Sequence, residues 1–307
     1  MPNVWTHILF GNKVIERAEL HNMVEDVRTY FQLGTQGPDP FFYHNYWPWK
    51  SKPVTLIGER IHYEQCGPFL MKMIQHGYEN KSDSKLLAYI LGFVTHHLLD
   101  RNTHPYIIYR SGNEENRHQK LEIIIDTILM KRWKNIDTYK VPVYKEIYIG
   151  PTLYNPIRSM LSKLIQDTFP KEADTMPADY VNKSYQYMIH ALKVLHDPLG
   201  WKNRILKKRI SPFSYQKNVE DKDYLNEQKT EWLHPTNEDE ASVDCFLTLF
   251  QNAEKEGVDI LTLIWNYWHT GEPECLKTIS EKLGNLSYDT GKDCTLMLEN
   301  RYFKPIL

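Results

Sequence analysis

Several features that would mark a class of protein are scarce or missing here. The chain has four cysteines, Cys66, Cys245, Cys275 and Cys294, far apart and forming no CxxC pair. That excludes a disulfide scaffold and a cysteine-type zinc module. No apolar run approaches the length of about eighteen residues that a membrane-spanning helix needs, so none is expected. The opening MPNVWTHILFGNK lacks a basic start followed by a long apolar stretch. No signal peptide is expected there, and a cytoplasmic home is the default. Neither sign of charge dominates: 37 Lys and Arg against 39 Asp and Glu leave a formal net charge of -2. Nothing in that balance argues for a nucleic-acid-binding or anionic-membrane surface. There is no internal repeat, no low-complexity tract and no persuasive series of strands.

What is present is a globular composition, 41% hydrophobic and 25% charged, rich in Tyr, Phe and Trp. A chain of 307 residues is long enough for a sizeable core. The reading is all-α, one multi-helix domain over residues 1–307. A short first helix or turn is expected over Trp5–Phe10 and a longer helix over Asn12–Leu33, where apolar residues recur at roughly helical spacing. A loop rich in turn formers follows, Thr35 to Pro40, and then the aromatic segment Phe41–Trp49. Helices are expected over Thr55–Glu64 and Phe69–Tyr78. Another, capped by Ser82 or Ser84, runs through Asp100 and is apolar nearly all round, which marks it as buried. Pro105 should end it near Thr103. A long helix over Glu114–Trp133 is next, then a short strand or extended piece over Val141–Ile149. Further helices are expected over Pro156–Thr168, Ala178–Leu195, Val243–Ala253, Leu261–Trp268 and Glu274–Leu283. The basic run Lys202–Arg209 reads as a solvated face, and Ser211–Glu231 as a polar, Pro-interrupted connection.

Histidine carries the functional signal, with nine of the 13 falling in the first 118 residues. His96 and Asp100 are four apart, His104 is four further on, and His118 and Glu122 are again four apart. On a helix such residues lie one above the other, so two neighbouring helices aim several ligand-type side chains at one spot. Imidazole nitrogens and carboxylate oxygens are what divalent metals, zinc above all, take. Singly, each residue has a plainer explanation: a hydrogen-bonded core histidine, a turn aspartate between two prolines, a surface glutamate. Together they do not. Asp100 lies in a strongly apolar helix, and a buried carboxylate needs a cation or hydrogen bonds.

The pattern resembles the zinc-dependent phospholipase C family, the all-helical fold of secreted bacterial phospholipases C and single-strand-specific nucleases. That family's order is filled by His7, Asp39 in Gly-Pro-Asp-Pro, His62, the pair His96 and Asp100, His104, and the pair His118 and Glu122. The resemblance is clearest over residues 1–130. It implies Asp39, His62, His96 and Asp100 on one zinc, and His104, His118 and Glu122 on a second. It further implies His7 and the bridging Asp100 on a third, two to three ions in all. Such ions clamp the oxygens of a phosphoester and lower the pKa of a water. Asp39 would also take the proton from the attacking water. A small phosphoester or a phospholipid is the substrate implied. In the secreted relatives an N-terminal Trp completes the third zinc site, whereas Trp5 here is internal. The gap from Asp100 to His104 is also shorter than theirs.

Three rivals remain. A ferritin-like di-metal carboxylate protein would use Glu59 with His62 and Glu115 with His118, but the helix between Lys81 and Arg110 has no Glu to complete it. An HD-type phosphohydrolase would have only His196–Asp197, at a helix end before Pro198. A non-catalytic metal-binding scaffold is the third. Eight candidate ligands for two or three ions leave coordination positions open to water, which favours catalysis. His97 points about 100° away from His96 and reads as a core or supporting residue. His44 and its aromatic neighbours line either a cleft or the core.

Overall fold

A computed structural model of the chain describes residues 3–46, 53–114, 116–206 and 210–307. Its elements in order are α1 (Val4–Arg17), α2 (His21–Val24), α3 (Arg28–Gly34), α4 (Thr55–Tyr63), α5 (Cys66–Glu79) and α6 (Ser84–Ser111). Then come α7 (Arg117–Lys134), α8 (Asn155–Thr168), α9 (Pro170–Ala173), α10 (Tyr180–Leu195) and α11 (Trp201–Leu206). A small antiparallel hairpin, β1 (Trp232–His234) and β2 (Asn237–Ser242), precedes α12 (Phe246–Thr270) and α13 (Pro273–Leu283). The fold is an all-α bundle, as expected. Among the described residues no helix is long and apolar enough to cross a membrane.

α6 is the axis of the bundle. Every residue from Leu86 to Arg101 is buried, and the helix packs against α1, α3, α5, α7, α8, α12 and β1. Its N-cap is Asp83 rather than either serine: the carboxylate accepts from Leu86 N at 3.0 Å. Nor does α6 stop at Thr103. It continues through Pro105 to Ser111 and ends at Gly112, whose φ is 72°. A proline inside a helix leaves the carbonyl four residues earlier without its donor. Here that carbonyl belongs to Arg101, and Gly291 lies so close that a Cβ there would come within 2.4 Å of the oxygen. A distant loop thus packs against the point that local rules treat as a terminus, with no side chain there to clash.

Other differences have similar causes. Trp5–Phe10 and the start of the next expected helix are one helix, α1, and the break comes after Arg17, where Glu19 takes a left-handed φ of 59°. The two helices expected between Val243 and Trp268 are one, α12, which packs along α1, α6 and α13. Val141–Ile149 is not a strand: Val143–Glu146 forms a 3-10 turn behind Pro142. Within the aromatic segment, Phe41 is core and His44 packs against Tyr187 at 5.3 Å between centroids. Trp47 and Trp49 lie outside the described residues. So do residues 207–209 of the basic run. Its first member, Lys202, donates to the carbonyls of Val194 and His196 near the end of α10, at 2.8 Å each.

Candidate metal centre

Five segments converge on one side of α6. α1 supplies His7, the 3-10 turn Asp39–Tyr43 supplies Asp39, and α4 supplies His62. α6 supplies His96, Asp100 and His104 from one stripe, and α7 supplies His118 and Glu122. All but His118 are buried. The turn reaches α6 because Gly37 has a φ of 50° and no side chain; a Cβ there would sit 2.4 Å from the His96 ring. Thr35, just before it, accepts a hydrogen bond from His96 Nδ1 at 3.0 Å.

Three groups of ligand-type atoms result: His7 with His96 and Asp100, Asp39 with His62 and His96, and His104 with His118 and Glu122. Asp100 is the hinge between them. Its Oδ1 lies 3.3 Å from His7 Nε2 and 3.4 Å from His104 Nε2, and its Oδ2 lies 3.0 Å from His96 Nε2. Asp39 Oδ1 is 3.5 Å from His96 Nε2 and 3.7 Å from His62 Nε2. Glu122 Oε1 is 2.7 Å from His118 Nε2 and 3.6 Å from His104 Nε2. All eight residues named from the sequence are thus within one connected cluster. His96 groups with both His7 and Asp39, whereas the family resemblance gave it to one ion only.

The outer nitrogens explain the direction of the inner ones. His62 Nδ1 donates to Gly58 O at 2.7 Å and His96 Nδ1 to Thr35 O at 3.0 Å. A donor on Nδ1 fixes the tautomer whose Nε2 lone pair faces inward. Those inward atoms are otherwise stranded. The Nε2 atoms of His7, His62, His96 and His104, Asp39 Oδ1 and both Asp100 oxygens are buried without a well-directed hydrogen bond. Native interiors rarely leave so many polar atoms without partners. A dication supplies what every one of them lacks, so this donor set fits zinc.

The electrostatics agree. Burial, with His96 adding to it, pushes His7 down to about 4, and burial pushes His62 down to about 4. Burial pushes Asp39 up to about 7. Asp100 is held well below the usual carboxylate range: burial opposes this, but His104, His96 and His7 outweigh it. His104 rises to about 10, because Asp100, Asp289 and Glu122 overcome the cost of burial. In the metal-free chain the paired His104 cation adds stability that is fully present below its unfolded value of about 6.5 and is lost as pH rises through about 10. An ion taken up at Nε2 would have to displace that proton. Zinc uptake at pH 7 is therefore expected to release about one proton from His104 alone, and affinity to rise as pH climbs towards 10. Titration calorimetry in buffers of different ionisation enthalpy measures the released proton; the same apparent enthalpy in all of them would contradict it.

Residues not singled out from the sequence support the site. Asp126, one turn after Glu122 on α7, accepts from Trp5 N at 3.1 Å, Thr6 N at 2.8 Å, Thr6 Oγ1 at 2.5 Å and Tyr215 Oη at 2.6 Å. It thereby anchors the first turn of α1 and fixes where His7 lies. Its signal was visible, since it continues the stripe of His118 and Glu122 by four. Tyr288 and Asp289 come from the far end of the chain, and no local pattern marks them. Tyr288 packs on His62, His96 and His97, with centroids at 4.8, 5.8 and 4.5 Å. His97 turns away from the cluster and donates to Leu286 O at 2.8 Å, a supporting core residue as expected.

The rival readings find no such geometry. Glu59 is exposed on α4 and Glu115 lies outside the described residues. His196 caps α10 and Asp197 accepts from Asn203, and neither belongs to a metal-type group among the described residues.

A family model described as zinc dependent phospholipase C matches residues 6–175, more than half of the 307. No curated protein and no solved structure matches the chain.

Proposed function

The chain belongs to the zinc dependent phospholipase C family, and from that premise we propose that its buried centre cleaves a phosphodiester of phospholipid-headgroup type. The protein is a metal-dependent phosphoester hydrolase with three groups of side chains suited to hold ions. The assignment of ligands and substrate is our reading. Asp39, His62 and His96 would hold one zinc, and His104, His118 and Glu122 a second. His7 and Asp100 would hold a third. When bound, the ions supply Lewis acidity that neutralises developing phosphoryl charge and makes a water more acidic.

The chain's own groups do the rest. Asp39 accepts the proton of the attacking water, the general-base role suited to a carboxylate beside the reacting centre. The outer hydrogen bonds of His62 and His96 keep their Nε2 atoms aimed, so the site is organised before substrate arrives. His118, with a side chain 22% exposed, marks the side from which substrate enters an otherwise closed cluster. We further take residues 1–307 as one domain, since α6 packs against α1 and α3 on one hand and α12 and β1 on the other. A cytoplasmic setting completes the reading, and fractionation of the producing cells tests it.

The observation that carries the proposal is the set of buried, inward-facing nitrogen and carboxylate atoms without hydrogen-bond partners. Elemental analysis of the untagged chain should give two to three zinc ions per molecule. Chelation should leave a folded but inactive protein. The zinc-loaded chain should cleave p-nitrophenylphosphorylcholine faster than bis-p-nitrophenyl phosphate. The reverse order would move the substrate to small diesters without a choline-type headgroup. A fully metallated chain inert on every phosphoester would leave only a scaffold role.

A further inference from the structure

The family match ends at residue 175, yet the chain beyond it folds back onto the centre. After α13 the segment 284–294 runs between α4 and α6. Tyr288 N and Ser287 Oγ both donate to His62 O, at 3.0 and 3.2 Å. Leu286 O accepts from His97 Nε2, and Thr290 O accepts from His234 Nε2 of the hairpin at 3.0 Å. Gly291 packs against the carbonyl that Pro105 leaves without a donor. So many anchors in a few residues give this segment one position.

That position delivers one carboxylate. Asp289 Oδ1 lies 3.2 Å from His104 Nδ1, on the side of the ring opposite Asp100 and Glu122, and Asp289 Oδ2 accepts from the Tyr63 hydroxyl. The comparison with the other histidines is telling. His62 and His96 have neutral backbone carbonyls behind them, whereas His104 has a charged group. A carboxylate behind a ligating imidazole holds its tautomer and orientation and makes its inner nitrogen a stronger donor to metal.

We propose that Asp289 is a positioning residue for the ion held by His104, His118 and Glu122, built into the centre by the C-terminal part of the chain. This rests on the reading of His104 as a ligand. Asp289 is itself steered by Tyr63, so removing that hydroxyl has a smaller effect than removing the carboxylate.

The test uses the full chain with Asp289→Ala, Asp289→Asn and Tyr63→Phe. Zinc is titrated against a chromophoric chelator, and the visible spectrum is recorded after loading with Co²⁺. Thermal unfolding of the chelated protein is followed alongside. Asp289→Ala should weaken one ion of the complement by about 10–100-fold and alter the cobalt spectrum. Asp289→Asn, which keeps an acceptor oxygen, should recover part of that loss, and Tyr63→Phe should stay within about threefold of the parent chain. Should Asp289→Ala fail to fold, the near-isosteric Asp289→Asn carries the test. An unchanged cobalt spectrum and affinity in the Asp289 variants overturns the proposal. So does a loss confined to the unfolding temperature of chelated protein, which makes Asp289 a brace and nothing more. A parent chain that binds no zinc or cobalt overturns the ligand reading beneath it as well, and is recognised without any variant.

Discussion

Asp100→Asn is expected to fold, to lose most of its bound zinc, and to drop in phosphodiesterase kcat/KM by about a thousandfold or more. The reason is topological as well as chemical. Asp100 is the carboxylate within 3.4 Å of histidine Nε2 atoms from His7, His96 and His104, so it belongs to one of the three metal-type groups and reaches the other two through His96 and His104. Asparagine keeps the size but replaces one oxygen with an amide donor, and removes the negative charge. The amide hydrogens repel a cation there and can donate to an inward histidine nitrogen, which then no longer offers its lone pair to metal. Charge stabilisation by bound metal amounts to several kcal/mol in such reactions, which is on the order of the thousandfold stated. Glu122→Gln is the informative companion. Glu122 belongs to one group, with His104 and His118, so that variant should lose one ion and keep the others. Elemental analysis of both variants, with kinetics on the same chromogenic diester, decides the matter. Full metal content and activity in Asp100→Asn would remove the bridging role and with it the present picture of the centre.

A helix can also lose metal without losing its fold, and this variant should show it. Ligands that bind only the native state stabilise it, so the zinc-loaded parent should melt well above the zinc-loaded variant. Once both are chelated, most of that difference should vanish. α6 carries its own stability in the apolar residues from Leu86 to Leu99, which pack against helices on every side.

Helical spacing revealed one part of the site, and the ordered family pattern revealed His7, Asp39 and His62. His96, Asp100 and His104 repeat by four, as do His118 and Glu122, and a period of four survives any detail of tertiary packing. What stayed hidden depends on contacts between distant segments. Pro105 reads as a terminus because the local rule concerns a missing N–H and a clash; the loop around Gly291 packs against the orphaned Arg101 carbonyl from 190 positions further along the chain. Glu19 ends α1 in a conformation that favours glycine or asparagine, so no breaker residue announces it. Val141–Ile149 alternates like a strand, but no second strand is there to pair with it among the described residues, and Pro142 starts a 3-10 turn instead. Asp289 is the extreme case. Its role comes entirely from where the C-terminal segment returns, and an isolated Tyr-Asp in a loop carries no periodic signal.

The same long-range dependence makes Gly92→Ala the second large prediction. α3 and α6 cross with their backbones in contact, at Gly34 and Gly92. A Cβ on Gly92 would lie 2.2 Å from Phe31 O and 2.7 Å from Thr35 N, and one on Gly34 would lie 2.2 Å from Tyr89 O. These neighbours are backbone atoms of the two helices and of the residue that caps α3, so they have no rotamer to change. The helices must part by about 1 Å, which costs roughly 1–3 kcal/mol or somewhat more. The functional loss should exceed the structural one. The end of α3 leads directly into Thr35, which holds His96 Nδ1, then into Gly37 against the His96 ring, and then into Asp39. Moving α3 away from α6 therefore pulls Asp39 from His96 while leaving His104, His118 and Glu122 in register. Gly92→Ala should lose the ion of the Asp39 group and keep the His104 ion. Its kcat/KM should fall by about a hundredfold, the scale of a 1 Å misplacement of reacting groups. Asp39→Asn should show the same metal loss without the loss of stability, because it leaves the helix crossing untouched. A Gly92→Ala chain that melts lower yet keeps every zinc would mean that the crossing carries fold stability and that the turn finds Asp39 its place by other contacts.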